Sequence, residues 1–200
     1  MELYIIRHGE TDWNKEKRLQ GQSDTELNAY GVELARITAE ALEDVQFDYM
    51  FASPLRRACH TAEIIRGKRK LDIVTDDRLK EIGFGVNEGV PADQISEDFH
   101  YFFDAPEKYR PARGGETYEQ LCARSRHFID NVIVPLSERE PECRAVIVAH
   151  GALNKSIMVY LKGLEIRNMW DGVFQKNCCV NIFEINGTDF KLLQEAKVYY

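Results

Sequence analysis

The chain has 200 residues, of which 44% are hydrophobic and 30% charged, and its formal net charge is −7. This composition is typical of a globular protein with one substantial core. The negative charge argues against non-specific binding to nucleic acid, which requires a basic surface. It does not exclude a phosphorylated substrate, because a few cations can be concentrated in one cleft. No stretch approaches the ~20 apolar residues that a membrane span needs.

The N-terminus and the cysteines bear on cellular compartment and on metal binding. The first ten residues, MELYIIRHGE, lack the basic start and long apolar run of a signal peptide, so we expect a cytoplasmic protein. The cysteine count is odd and contains no C-x-x-C pair, which favours reduced thiols over disulfides or a zinc site. We therefore expect neither a metal nor another cofactor. The five cysteines are Cys59, Cys122, Cys143, Cys178 and Cys179.

The first half of the chain predicts alternating strands and helices. Short buried strands are expected at 3–6 and 48–52. Apolar residues at helical spacing predict a helix through residue 42, with Asn28 as its N-cap. The Ser53-Pro54 pair predicts the start of another helix that extends to about residue 65.

The second half continues the alternation. A long helix is expected over 117–136, kinked or ended by Pro135, and a shorter one after Gly151. Residues 144–149 are rich in β-branched side chains and predict a buried strand. Two strands joined by the turn Asn186-Gly187 should form a C-terminal hairpin over 178–185 and 190–198.

This order of elements predicts the fold class. Alternating strands and helices favour an α/β protein, a three-layer αβα sandwich around a mostly parallel sheet. The stretch 90–115 breaks the rhythm, since it holds five aromatic residues and three prolines among charged side chains. We interpret it as a cap inserted over the sheet within a single domain, 1–200.

Histidine follows a predicted strand at two places. RHGET (7–11) comes directly after the first strand, and AHG (149–151) directly after the strand at 144–149. Ligands of open α/β sheets bind beyond the carboxyl ends of strands, so His8 and His150 can converge on one ligand. The glycine after each histidine lets a ligand approach the backbone closely.

Arginine and glutamate supply the other groups of the predicted site. SPLRRA (53–58) lies at a strand-to-helix turn, where an arginine and the helix N-terminus can together bind a phosphate. Glu81, in LKEIGFG (79–85), is a carboxylic acid flanked by glycine-rich backbone and can protonate a leaving oxygen.

Together these motifs resemble the histidine phosphatase superfamily, which has the phosphoglycerate-mutase-like fold. The resemblance spans almost the whole chain, in family order. Its motifs are RHGET with Trp13-Asn14, then Gly21, Asp24 and Gly31, SPLRRACHTA, LKEIGFG with Glu88-Gly89, GGET at 114–117, and AHG.

The resemblance implies a role for each site residue. His8 would be the nucleophile and Glu81 the proton donor. The phosphate pocket would be formed by Arg7, Arg57 and His150, with His150 in its protonated form. Arg57 rather than Arg56 is chosen because the family arginine immediately precedes the alanine of the motif.

Further contacts are implied nearby. Asn14 would donate to the same phosphate, and Gln20-Gly21 matches a loop that lies near bound substrate. No metal would take part. The partner would be a phosphorylated small molecule, with no nucleic acid or membrane; neither its identity nor the oligomeric state follows from the sequence.

Three functions stay open. The first is a phosphatase for small phosphate monoesters. The second is a phosphoglycerate mutase, which uses the same nucleophile; the mutase branch usually has a longer chain with a shielding C-terminal tail, so a chain that ends at Tyr200 favours hydrolysis. The third is a catalytically silent domain that binds a phosphate ligand.

Overall fold

A six-stranded sheet forms the centre of the molecule in the computed structural model, which describes the backbone of residues 1–200 and the side chains of 1–96 and 99–200. The strand order is β3-β2-β4-β1-β5-β6. The first four in this order are parallel, whereas β5 and β6 are antiparallel to their neighbours. The strands are β1 Glu2–Arg7, β2 Tyr49–Ala52, β3 Ile73–Thr75, β4 Arg144–Ala149, β5 Val180–Asn186 and β6 Asp189–Lys197.

Helices cover both faces of this sheet. Side chains alternate along β1, so that Leu3 and Ile5 join one core cluster and Tyr4 and Ile6 the other. The first cluster packs under α5, α6 and α7, and the second under α2 and α3, which gives the three-layer αβα sandwich. The helices are α1 Asp12–Lys15, α2 Ala29–Ala41, α3 Arg56–Arg66, α4 Tyr101–Asp104, α5 Tyr118–Phe128, α6 Val134–Arg139 and α7 Gly151–Leu161. Among the described residues, every helix is too short or too polar to cross a bilayer.

The start of α3 differs from the prediction. The helix begins at Arg56, not at Ser53-Pro54, and its N-cap is Leu55, which has extended backbone. Ser53 still belongs to the sheet edge, since its N–H donates to the carbonyl of Val148 at 3.0 Å. The chain needs the next two residues to turn away from the sheet before a helix can begin.

The long helix predicted at 117–136 is present but interrupted. Thr117 and Gln120 form a capping box at its N-terminus. The turn Ile129–Ile133 is a π-helix, and α6 follows it to Arg139. Pro135 lacks an N–H and its ring collides with an α-helical carbonyl, so widening the turn before it lets the chain stay helical. Of the two predicted effects of Pro135, a kink or an end of the helix, the end does not occur, because the chain stays helical to Arg139.

Smaller differences occur elsewhere. The short elements α1 and β3 have no strong periodicity and were not predicted. Strand β5 begins at Val180 rather than 178, because Cys178 has a left-handed backbone with φ of 55°. The 90–115 stretch adds no sheet strand; it consists of α4 and short 3-10 turns. Its role as a cap, and the single-domain boundaries, stay predictions.

Candidate active site

The two histidines lie at one edge of the sheet because their strands are parallel neighbours. His8 directly follows β1 and His150 directly follows β4. The His8 N–H donates to the carbonyl of Ala149 at 2.9 Å, which extends the strand pairing to the histidine itself. Strand β2 pairs with the other side of β4, so α3 also starts at this edge and brings Arg57 to it.

His8 is held with one ring nitrogen committed. Its Nδ1 lies 2.7 Å from the carbonyl oxygen of Gly9, an acceptor only, which assigns the proton to Nδ1. Nε2 therefore keeps its lone pair. Burial and the positive charges of Arg57 and Arg7 hold the pKa of His8 well below its usual range. The ring is thus neutral at pH 7, the form that a nucleophile requires.

His150 lies beside His8. The two ring centroids are 5.1 Å apart and the rings are tilted by 60°. Burial, followed by the charge of Arg57, holds the pKa of His150 well below its usual range. This disagrees with the expected protonated form, because the buried site favours a neutral imidazole. His150 can then offer one N–H to an anion rather than a full positive charge.

Backbone carbonyls orient the two arginines. Arg7 Nη1 donates to the carbonyl of Gln175 at 2.5 Å. Arg57 donates from Nη1 to the carbonyl of Ser23 and from Nη2 to that of Gly21, both at 2.7 Å. Burial lowers the pKa of Arg57 to about 10 and also lowers that of Arg7. Arg57 remains charged at neutral pH, and none of the described carboxylates forms an ion pair with Arg7 or Arg57, so the site carries net positive charge.

Several buried nitrogens of these residues have no hydrogen-bond partner. Among the described side chains, they include Nε of Arg7, Nε of Arg57 and both ring nitrogens of His150. Leaving a buried donor unsatisfied costs about 1–3 kcal/mol. A group of such atoms around one imidazole is the arrangement expected of a site that binds a tetrahedral anion.

Glu81 lies at the N-terminus of α7, next to Arg7. Its carboxylate accepts the N–H groups of Ile82, Ala152 and Leu153 at 2.9 to 3.1 Å. A Cβ added to Gly151 would lie 3.7 Å from both Glu81 Oε2 and Arg7 Nε, so the two side chains flank the same glycine. Glu81, Arg7 and Gly151 are partly exposed, which opens this side of the site to solvent.

Asn14 is fixed by its oxygen. Its Oδ1 accepts from the backbone of Thr11 at 3.2 Å and from Nδ2 of Asn177 at 3.3 Å. Asn177 also donates to the carbonyl of His8 at 3.0 Å, so it connects both residues. Nδ2 of Asn14 has no partner among the described residues, which leaves a donor next to the histidine.

Gln20 and Gly21 support the site from behind Arg57. The buried Gln20 side chain accepts from the hydroxyl of Thr25 at 2.7 Å. Gly21 has a φ of 53°, and a Cβ there would collide with the carboxylate of Glu88. This loop is therefore linked to the proposed pocket by the hydrogen bond from the guanidinium of Arg57 to the carbonyl of Gly21.

Sequence reasoning missed residues that position these groups. Thr61 accepts from the N–H of Gly9 at 3.0 Å and donates to the carbonyl of Arg57 at 2.7 Å, so it connects β1 to α3. Gln175 and Asn177 come from the loop before β5, far away along the chain. Thr61 lies one helical turn after Arg57, and this spacing could have indicated it as a neighbour of the site. The sequence offered no comparable signal for Gln175 or Asn177.

The sequence matches one known protein family over almost its whole length. The model of the histidine phosphatase superfamily (branch 1) matches residues 3–196. The chain belongs to this superfamily, as the resemblance implied.

Individual relatives agree with this assignment. An uncharacterized phosphatase, PhoE, of Bacillus subtilis is 35% identical over 159 residues, which cover 80% of this chain and 76% of that protein. The structure of Bacillus stearothermophilus YhfR superposes with a TM-score of 0.90 at 33% identity, covering 98% of this chain and 97% of the other. A mycobacterial glucosyl-3-phosphoglycerate phosphatase, solved in complex with VO3, gives a TM-score of 0.86 at 30% identity, with 98% of each chain covered.

Proposed function

We propose that this protein is a phosphatase that hydrolyses small-molecule phosphate monoesters through a phosphohistidine on His8. The observation that carries the proposal is the neutral His8 ring, with its Nδ1 proton committed to Gly9 and with Arg7, Arg57 and His150 around it. Two relatives named as phosphatases, one of them bound to an oxyanion of vanadium, support this class of ligand.

In the first step, Nε2 of His8 attacks phosphorus and the ester P–O bond breaks. Arg7 and Arg57 neutralise the charge of the equatorial oxygens, and His150 donates one N–H. Glu81 transfers its proton to the departing alkoxide. The products are the free alcohol, a phosphohistidine and the Glu81 carboxylate.

In the second step, water attacks the phosphohistidine. The Glu81 carboxylate takes a proton from the water as the new P–O bond forms and the P–N bond breaks. Inorganic phosphate leaves, and His8 and Glu81 return to their starting forms. Acid–base assistance of this kind contributes about 10²–10⁴ in rate.

The test is hydrolysis of a monoester panel combined with trapping of the intermediate. Purified protein is mixed with a ³²P-labelled substrate, quenched with alkali and assayed for bound label, since phosphohistidine is stable in base and labile in acid. We expect labelled wild-type protein, released phosphate and no label on His8→Ala. The control is His60→Ala, which removes an exposed histidine of α3 and should keep both signals.

The outcomes separate the three functions. Label on His8→Ala would remove His8 from the nucleophile position. Interconversion of 3- and 2-phosphoglycerate that exceeds phosphate release would identify a mutase. Phosphate binding without label or turnover on any ester would identify a silent binding domain.

A further inference from the structure

The segment that carries Glu81 is held by a side chain from a different layer of the fold. Arg124 lies in α5, and its guanidinium reaches the backbone just before and at Glu81. Nη1 donates to the carbonyls of Arg78 at 2.8 Å and Lys80 at 2.5 Å. Nη2 donates to the carbonyl of Glu81 itself at 2.9 Å.

The rest of the same guanidinium binds a carboxylate. Arg124 Nε donates to Oε1 of Glu116 at 2.7 Å, and Nη2 donates to Oε2 at 2.8 Å. Every one of the five N–H donors of an arginine is thereby used. Two of them form the paired geometry that gives an arginine–carboxylate bond its directional strength.

Glu116 also contacts the backbone after Glu81. Its Oε2 accepts the N–H of Gly83 at 3.2 Å, and its own N–H donates to the carbonyl of Gly83 at 2.8 Å. Arg124 and Glu116 thus hold the chain on both sides of Glu81. We name this pair the Arg124–Glu116 clamp.

The clamp rests on a rigid base. Glu116 immediately precedes the capping box of α5, formed by Thr117 and Gln120. Both members of the pair are largely shielded from water, with side-chain exposures of 19% and 16%. An ion pair in that setting is less screened than one on the open surface.

We propose that Arg124, together with Glu116, is the positioning residue for Glu81, fixing the carboxyl group where it can protonate the leaving oxygen. The inference rests on the proposed function, because it matters only if Glu81 is the acid. A group displaced by about 1 Å can lose about 10² in rate, so a clamp on its backbone is as necessary as the acid itself.

A positioning role predicts a selective defect. Loss of the clamp should slow the phosphorylation of His8 by esters whose alkoxide needs a proton, and spare its phosphorylation by p-nitrophenyl phosphate, whose leaving group needs none. Hydrolysis of the phosphohistidine, in which Glu81 also acts, is common to both substrates and affects kcat but not kcat/KM. A merely structural role would lower kcat/KM alike for both substrates, so the ratio of the two kcat/KM values measures positioning separately from general damage.

The experiment compares Arg124→Gln with wild type on glycerol 2-phosphate and p-nitrophenyl phosphate. We expect kcat/KM for glycerol 2-phosphate to fall about 10²-fold and that for p-nitrophenyl phosphate less than about threefold. Arg124→Lys retains the charge but not the five-donor geometry, so it should restore little of the loss. If Arg124→Gln does not fold, Glu116→Gln decides, since it keeps the shape of the side chain and weakens the clamp.

The matched control is Lys162→Gln. Lys162 and Glu195 form an ion pair of similar exposure, 22% and 18%, that makes no contact with the backbone around Glu81. Lys162→Gln should leave the ratio of the two kcat/KM values unchanged. An equal loss of kcat/KM for both substrates in Arg124→Gln, or in Glu116→Gln, would overturn the inference.

A double variant tests whether the effect of Arg124→Gln depends on Glu81. In a Glu81→Gln background, Arg124→Gln should change the ratio no further, because residues that act through one group are not additive. If Glu81→Gln alone lowers kcat/KM equally for both substrates, the acid role and the clamp both fail. If Glu81→Gln is selective and Arg124→Gln is not, only the clamp fails.

Discussion

The proposed phosphate pocket and the aromatic cluster beside it are built on opposite physical principles. The aromatic cluster consists of Phe84, Phe99, Phe102, Tyr109, Tyr118 and Trp170, with the exposed ring of Phe103 at its rim. Phe102 lies at its centre, stacked on Phe99 at 5.3 Å and tilted against Tyr118 at 5.1 Å. The carbonyl of Phe102 accepts from both Tyr118 Oη at 2.9 Å and Trp170 Nε1 at 2.6 Å, so the polar atoms of Tyr118 and Trp170 are satisfied.

The pocket shows the reverse. His8 and His150 are held neutral by burial, and buried nitrogens of Arg7, Arg57 and His150 have no hydrogen-bond partner in the described part of the chain. Unsatisfied buried donors reduce stability, whereas buried rings with satisfied polar atoms increase it. The comparison indicates that the cluster stabilises the fold, whereas the unpaired buried nitrogens of the pocket destabilise it. Such a loss of stability is expected at a functional site.

The largest expected effect is at His8. We predict that His8→Ala lowers kcat by more than about 10³-fold, because no other group can form the covalent intermediate. Its free energy of unfolding should be unchanged or higher, since a desolvated polar ring is removed. Rates on p-nitrophenyl phosphate and urea unfolding of the same preparation check both parts. Residual activity above a tenth of wild type would contradict the assignment.

The second effect is at the centre of the cluster. We predict that Phe102→Ala lowers the free energy of unfolding by about 3–5 kcal/mol, the usual cost of truncating a buried ring. The matched control is Phe103→Ala, one residue away and 47% exposed, which should cost much less. If Phe102→Ala removed activity but left stability intact, the cluster would belong to the site and the comparison would fail.

Which residues meet at one edge of the sheet was more predictable from the sequence than which residues hold them there. His8, His150 and Arg57 follow β1, β4 and β2, and strand–histidine–glycine is a local pattern that parallel pairing then brings together. Arg124 was missed because it lies in an ordinary amphipathic helix, and its partners are carbonyls, which leave no trace in side-chain patterns. Long-range contacts to backbone are invisible in one sequence.

Fold class was likewise more predictable than element boundaries. The alternation of strands and helices identified the layers. The start of α3 depended on the pairing of Ser53 with the sheet, which delays the helix. The π-helix at Ile129–Ile133 depended on the fit of Pro135 into a continuing helix. The expected protonated form of His150 left out its burial and the positive charge of Arg57, both of which lower its pKa.

A third prediction concerns inorganic phosphate. At about 100 times its Kd, phosphate should raise the free energy of unfolding by about 2.7 kcal/mol, because it binds only the folded state. Arg57→Gln should abolish this gain, whereas Phe103→Ala should keep it. Thermal unfolding with and without phosphate is the measurement. An equal gain in Arg57→Gln would place the anion somewhere other than the pocket.

The smallest effect is the pH dependence of stability without phosphate. The pKa values of His8 and His150 are lowered in the folded state, so between those values and about 6.5 the unfolded chain binds more protons. Stability from these groups is therefore complete above about pH 6.5 and falls as the pH drops, by up to about 1.4 kcal/mol per pH unit for each histidine. Urea unfolding at pH 7.5, 6.5 and 5.5 measures the slope.

Carboxylates also bind protons as the pH falls, so a substitution is needed to separate the contribution of the pocket histidines to the slope from that of the carboxylates. His150→Gln removes one titrating group and should reduce the slope below pH 6.5 by one histidine's share, while His60→Gln, at an exposed site, serves as the control. The same substitution should also make the protein more stable at pH 5.5 relative to wild type, because one imidazole fewer is then kept neutral against its tendency to protonate. An identical slope in wild type and His150→Gln would mean that burial does not hold this ring neutral. The pocket would then differ from the aromatic cluster only in its unpaired buried nitrogens, and not in the protonation of its histidines.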